Sequence, residues 1–316
     1  MTNHGSLRQR VGIGFIPSNA RQALDLIRRA DTAGIETIWA VMPALNRDTP
    51  TLFAAAAVQT ERIKLGTAIV PAFTRHPLGL ATQVLTLEDL APGRLRLGIG
   101  TAHQRTMIPS YGLAFDRPLS QLREYLQVLR PVLREGAVSF AGEFYRVEAK
   151  LAYAPKTPVL ISALRQGSFE LAGELADGAI TWLCPAEYIL NQGLPALQRG
   201  AERAGRERPP IVAHVLVSPR TDRAAVRAAA RKHLSYYAAA IFYQRMFAAA
   251  GYPLAADGSV TGALIDAIVL SGDDAAVAAG LRERLERGLD ELVVSLIASD
   301  DPRGDEDALI RIISSL

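Results

Sequence analysis

Short apolar runs alternate with longer amphipathic stretches along most of the chain, and the alternation predicts strands followed by helices. The first run, residues 11–16, ends at Pro17-Ser18-Asn19, a helix-start signal. Residues 20–33 then carry Leu24, Ile27 and Ala30 on one face, with Gly34 as the stop. Further strands are predicted at 35–41, 63–70, 95–99, 159–163, 178–182, 211–218 and 292–296. Helices are predicted at 51–60, 78–90, 119–133, 168–176, 187–204, 274–287 and 308–316.

Two stretches break the rhythm. Residues 138–147 alternate like a hairpin, which marks an insertion at about 136–150. Residues 222–270 form a long, largely helical excursion with a further helical piece at 262–270. Its aromatics Tyr236, Tyr237, Phe242, Tyr243 and Phe247 fit a helix face packed on the core or a lid. The strands are apolar throughout rather than alternating, so both of their faces are covered, as in a parallel sheet. Eight strands in βα order predict a (β/α)8 TIM barrel over residues 11–316, with insertions after strands 4 and 7. An open doubly wound sheet is the alternative, but it lacks a glycine fingerprint after strand one. The polar residues 1–10 read as a disordered lead-in without a signal-peptide core.

At 316 residues the chain can bury a large core, and its formal charge is only +3. No basic run alternates with aromatics, which argues against nucleic acid, and no segment reaches the length of a membrane span. The single cysteine, Cys184, excludes internal disulfides, suits a reducing cytoplasm and reads as a buried, inert thiol. Four lysines leave few candidates for Schiff-base chemistry.

In a barrel the working face lies at the strand C-termini. Those ends are mostly apolar, aromatic and small here, with His103, Gln104 and Arg165 as the strong polar groups. That suits a planar cofactor that carries its own reactivity. His-x-His and carboxylate clusters are missing, so no metal is expected; a Gly-x-Ser-x-Gly elbow, an ATPase-type phosphate loop and paired glycosidase carboxylates are missing too. At Arg165-Gln166-Gly167-Ser168, Ser168 is placed to cap the next helix, and the free amides with Arg165 would hold a phosphate; an ordinary serine-capped loop reads equally well. Gly100-Thr101-Ala102-His103 fits either a cofactor loop or a tight turn with a solvated histidine.

Several motifs resemble the bacterial luciferase-like monooxygenase superfamily: Leu65-Gly66-Thr67-Ala68-Ile69-Val70-Pro71, Arg75-His76-Pro77, the run from Leu87 to Leu95, Leu97-Gly98-Ile99-Gly100 and Ala176-Asp177-Gly178. Within it, His103-Gln104, Arg117-Pro118 and Glu124-Tyr125-Leu126 resemble a group of oxidoreductases that depend on the deazaflavin coenzyme F420. The resemblance covers residues 11–185 and resumes at 271–273 and 288–293, whereas 222–266 match little.

The resemblance implies a homodimeric barrel that binds F420, or alternatively FMN, in its mouth beside a small-molecule substrate. It implies a non-prolyl cis peptide at Ala68-Ile69 backing the ring, with Thr101, Ala102 and His103 at the ring edge. Ser162, Ala163, Leu164, Arg165, Gln166 and Gly167 would follow the ribityl chain and phosphate. Phe15, Val70, Gln104 and Thr181, at other strand ends, complete the cofactor candidates. Trp39, Met42, Trp182 and Tyr243 are the substrate candidates, and His103 the candidate acid or base. Where relatives carry an Asp-His pair after strand two, this chain has Met42-Pro43. The resemblance implies hydride transfer, and the apolar strand ends point to a hydrophobic or conjugated substrate. The rivals are an FMN monooxygenase using oxygen and a non-catalytic flavin-binding protein.

Overall fold

A computed structural model describes residues 6–297 and 299–316. Eight parallel strands close into a barrel: β1 (Val11–Phe15), β2 (Thr37–Ala40), β3 (Lys64–Thr67), β4 (Leu95–Gly100), β5 (Val159–Ser162), β6 (Gly178–Ile180), β7 (Ile211–Ser218) and β8 (Glu291–Leu296). Each pairs with the next, and β8 returns to β1 through Val11↔Leu292 and Ile13↔Val294. The apolar runs that predict strands are therefore the barrel wall, buried by side chains inside and by helices outside.

The lower interior is filled by Trp39. A Cβ on Gly66 would overlap its indole ring, so the bare glycine backbone is what lets so large a side chain lie inside the barrel. Beneath it the Arg96 guanidinium lies 4.7 Å from the ring centroid and bonds Glu291 Oε1 at 3.0 Å, joining β4 to β8 across the base.

Several motif residues hold the frame. The buried Glu88 carboxylate accepts the Gly93 amide at 2.7 Å and the Thr157 hydroxyl at 2.6 Å. Asp177 accepts the Val159 amide at 2.9 Å and pairs with Arg130 at 2.8 Å. Glu124 accepts three amides, from Glu143, Phe144 and Tyr145, at the turn of an antiparallel hairpin in which Ala137–Ala141 pairs with Arg146–Lys150.

The structure corrects the expected elements in several places. Residues 1–5 of the expected lead-in lie outside the described residues, while Leu7–Arg10 form a 3-10 turn whose Arg10 bonds the Asp290 carbonyl at 2.7 Å. The third strand stops at Thr67; after a cis peptide at Ala68-Ile69, Val70–Pro71 pair separately with Ile99 and Gly100. The loop after β4 is shorter than expected: it holds Thr101 to His103, and Gln104 already opens a helix, Gln104–Tyr111, despite Pro109. The helix expected at 187–204 contains a π segment, Ile189–Gly193, just before Pro195, which has no amide to donate. The piece expected at 262–270 leaves the helix after Ile268, and Val269–Ser271 add a parallel strand to β7. Between β7 and β8 the chain also forms helices Arg223–Ala238 and Ile241–Ala249. No described helix is long and apolar enough to cross a membrane.

Candidate functional site

The C-terminal ends of the strands open into a cavity of about 830 Å³. Ala68, Ile69 and Ile180 line it at the barrel end, and the segments after β2, β4 and β5 supply Met42 to Ala44, Thr101 to His103 and Ser162 to Ser168. The two helices after β7 close the other side with His233, Tyr236, Tyr237, Phe242 and Tyr243. A contact from the β4 side reaches them: the Arg105 guanidinium bonds the Tyr236 carbonyl at 2.7 Å and lies 4.2 Å from that residue's ring centroid.

Apolar and aromatic groups dominate the wall. Among the described residues lining it there is no carboxylate, and Arg165 is the one fixed charge. His103 is held below its ordinary pKa first by burial and then by the nearby Arg105 charge. Its ring lies 5.8 Å from that of Tyr243, which in turn lies 5.2 Å from Tyr237. Burial also lowers His233 and raises the phenols of Tyr237 and Tyr243, so all four groups are neutral near pH 7. Ala102 has a φ of 56°, a left-handed backbone at the cavity edge in a residue that rarely adopts it.

Below the wall, Trp182 is fixed by a buried histidine. His214 stacks on its indole with centroids 3.7 Å apart and 23° between the planes. His214 Nδ1 accepts the Leu183 amide at 3.2 Å, so Nε2 carries the proton and donates to Ser295 Oγ at 2.6 Å. Burial pushes the His214 pKa well down, which keeps this tautomer neutral. On the cavity side, Trp182 Nε1 donates to the Tyr237 hydroxyl at 3.2 Å. Cys184 is buried, its thiol pushed up to about 12 by desolvation.

Most of the sequence-derived candidates come together here: Ala68, Ile69, Thr101, Ala102, His103, Ser162 to Gly167, Met42, Trp182 and Tyr243 all line the cavity. Five do not. Trp39 plugs the barrel below, and Val70 is buried where its short strand pairs with β4. Thr181 turns its hydroxyl to the His214 amide at 3.3 Å. Gln104 is exposed at the start of its helix, and Ile16 lines the cavity in place of Phe15. Ser168 is not the helix cap: Arg165 occupies that position, and Ser168 Oγ reaches back to accept the Leu164 and Arg165 amides at 3.0 and 3.1 Å. The reading of strand ends missed His233, Tyr236, Tyr237 and Phe242 as wall residues. The aromatic cluster was their only signal, and it serves helix packing equally well.

Among the described residues, no group of three or more His, Cys, Asp and Glu side chains is placed to hold a metal ion. Over residues 2–291 the sequence matches the luciferase-like monooxygenase family. It is 29% identical to a 5,10-methylenetetrahydromethanopterin reductase of Archaeoglobus fulgidus, over 70% of this chain and 67% of that protein. It is 34% identical to an F420-dependent glucose-6-phosphate dehydrogenase of Nakamurella multipartita, over 48% of this chain and 47% of that protein. The fold matches an F420-dependent secondary alcohol dehydrogenase solved with an F420-acetone adduct, with a TM-score of 0.81 and 18% identity, over 96% of this chain and 97% of that one. A closed parallel barrel, an apolar mouth at its strand ends and a match along most of the sequence agree: the chain belongs to the luciferase-like monooxygenase family.

Proposed function

We propose that the protein transfers a hydride between coenzyme F420 and a small hydrophobic or conjugated organic substrate. The observation that carries this reading is the cavity wall, apolar and aromatic, free of carboxylates among its described residues, with its one fixed charge at a helix start. A flat tricycle with a phosphorylated tail fits such a site. Ala68 and Ile69 would back the ring, and Thr101, Ala102 and His103 would meet its edge. Arg165 and the first amides of helix Gln166–Leu175 would hold the phosphate. Bound there, the deazaflavin supplies a carbon that gives or takes a hydride. The chain's own part is to exclude water, to hold the substrate between Met42, Trp182 and Tyr243, and to give or take the substrate proton at the neutral His103 imidazole.

F420 is favoured over FMN by the F420-dependent relative and by the motifs around His103 and Glu124. Sugar-phosphate chemistry is not carried over, because Met42-Pro43 stands where an Asp-His pair would serve it. A homodimer in a reducing cytoplasm completes the reading, supported by the resemblance and by the single buried thiol.

Titration of the purified protein with F420 and with FMN tests it, with Trp182 fluorescence as the readout. F420 is expected to quench that emission at micromolar concentration and FMN only weakly. In the His103→Ala variant, F420 binding persists while turnover falls about 100-fold or more. Preferential binding of FMN, with rapid oxidation of its reduced form by oxygen, would establish the monooxygenase instead. Absence of binding by either cofactor would overturn both.

A further inference from the structure

We propose that the lid end of the cavity is a subsite for a carbonyl oxygen, with the Tyr237 hydroxyl as its donor and a planar aryl or conjugated ketone as its ligand. The proposal rests on the functional reading above and narrows its substrate class. The Tyr237 oxygen already accepts the Trp182 indole N–H at 3.2 Å, so what the phenol has left to offer is its own proton. A phenol that accepts one hydrogen bond donates a stronger one. Its partner Trp182 is held from below by the His214 stack, and His214 is held at both ring nitrogens by the Leu183 amide and the Ser295 hydroxyl. The donor is thus oriented through successive buried contacts, the kind of support a recognition group needs.

The surroundings select the ligand. Among the described residues the Tyr237 hydroxyl accepts from Trp182 and donates to no side chain or carbonyl, which leaves its proton for an acceptor on the ligand. Trp182, Phe242 and Tyr243 present flat aromatic surface beside Tyr237, with the Tyr237 and Tyr243 rings 5.2 Å apart at 67°. A sugar phosphate would set several hydroxyls against the flat aromatic surface of Trp182, Phe242 and Tyr243. A flat ketone brings one acceptor and hydrocarbon.

The test uses the intact protein without cofactor and 2-acetonaphthone labelled with carbon-13 at its carbonyl. Infrared difference spectra are expected to show the bound carbonyl stretch below its position in alkane solvent, and the carbon-13 resonance of the bound carbonyl is expected to lie downfield. Tyr237→Phe should return the stretch toward the alkane value and weaken binding about fivefold. Trp182→Phe should move the stretch part of the way. An unshifted carbonyl in the unaltered protein, an equal stretch in Tyr237→Phe, or no binding of the ketone would each overturn the subsite. A protein that binds F420 but not the ketone loses this subsite alone. One that shifts the ketone carbonyl but ignores F420 keeps the subsite and loses the proposed cofactor.

Discussion

His103, His214 and His233, in and beneath the cavity, are kept neutral mainly by burial, most strongly at His214. Below pH 6.5, the usual histidine value, the unfolded chain takes up protons that these folded side chains decline. Folding stability is therefore full above that pH and drains as pH falls toward the lowered folded values, by up to about 1.4 kcal/mol per pH unit for each histidine. Urea unfolding at pH 7 and pH 5.5 should show the loss, and His214→Gln should make it smaller; an identical pH dependence in the variant would contradict the assignment. At this scale the sequence was misleading about Trp39. Its place near the end of β2 put it with the site, but alternation along a strand gives the face and not the depth. Only the glycine gaps at Gly12 and Gly66 reveal that the ring belongs below.

The motifs that carry the family resemblance act mostly through the elements they join. Glu124 fastens the hairpin Ala137–Lys150 to helix Pro118–Glu135 by accepting the amides of its turn. Glu124→Ala leaves those amides to water, and the expected loss is about 1–3 kcal/mol of stability. Amide hydrogen exchange in the hairpin should speed up while cofactor affinity stays the same; unchanged exchange would show that the turn holds without this carboxylate. Helix Gln104–Tyr111 escaped the sequence reading for a plain reason. Pro109 followed by Ser110, Tyr111 and Gly112 spells a turn, and only Gly112, with a φ of 64°, ends the helix as that spelling suggests. The lid helices were visible as helices, but no periodicity tells which face of an amphipathic helix looks into a cavity and which onto a barrel.

For the whole molecule, the eight-stranded barrel was legible because each wall strand is a continuous apolar run and each is followed by a helix signal. The pairing of strand ends with the lid was legible only at Tyr243, since the rest depends on how a remote excursion folds back over the mouth. The base of the barrel adds something that neither scale above contains. Trp39 fills the interior, and the Arg96–Glu291 pair lies beneath it, so the barrel is a well with a stopper. With that floor shut, the coenzyme and the substrate proposed above would both have to come and go through the rim of the strand ends.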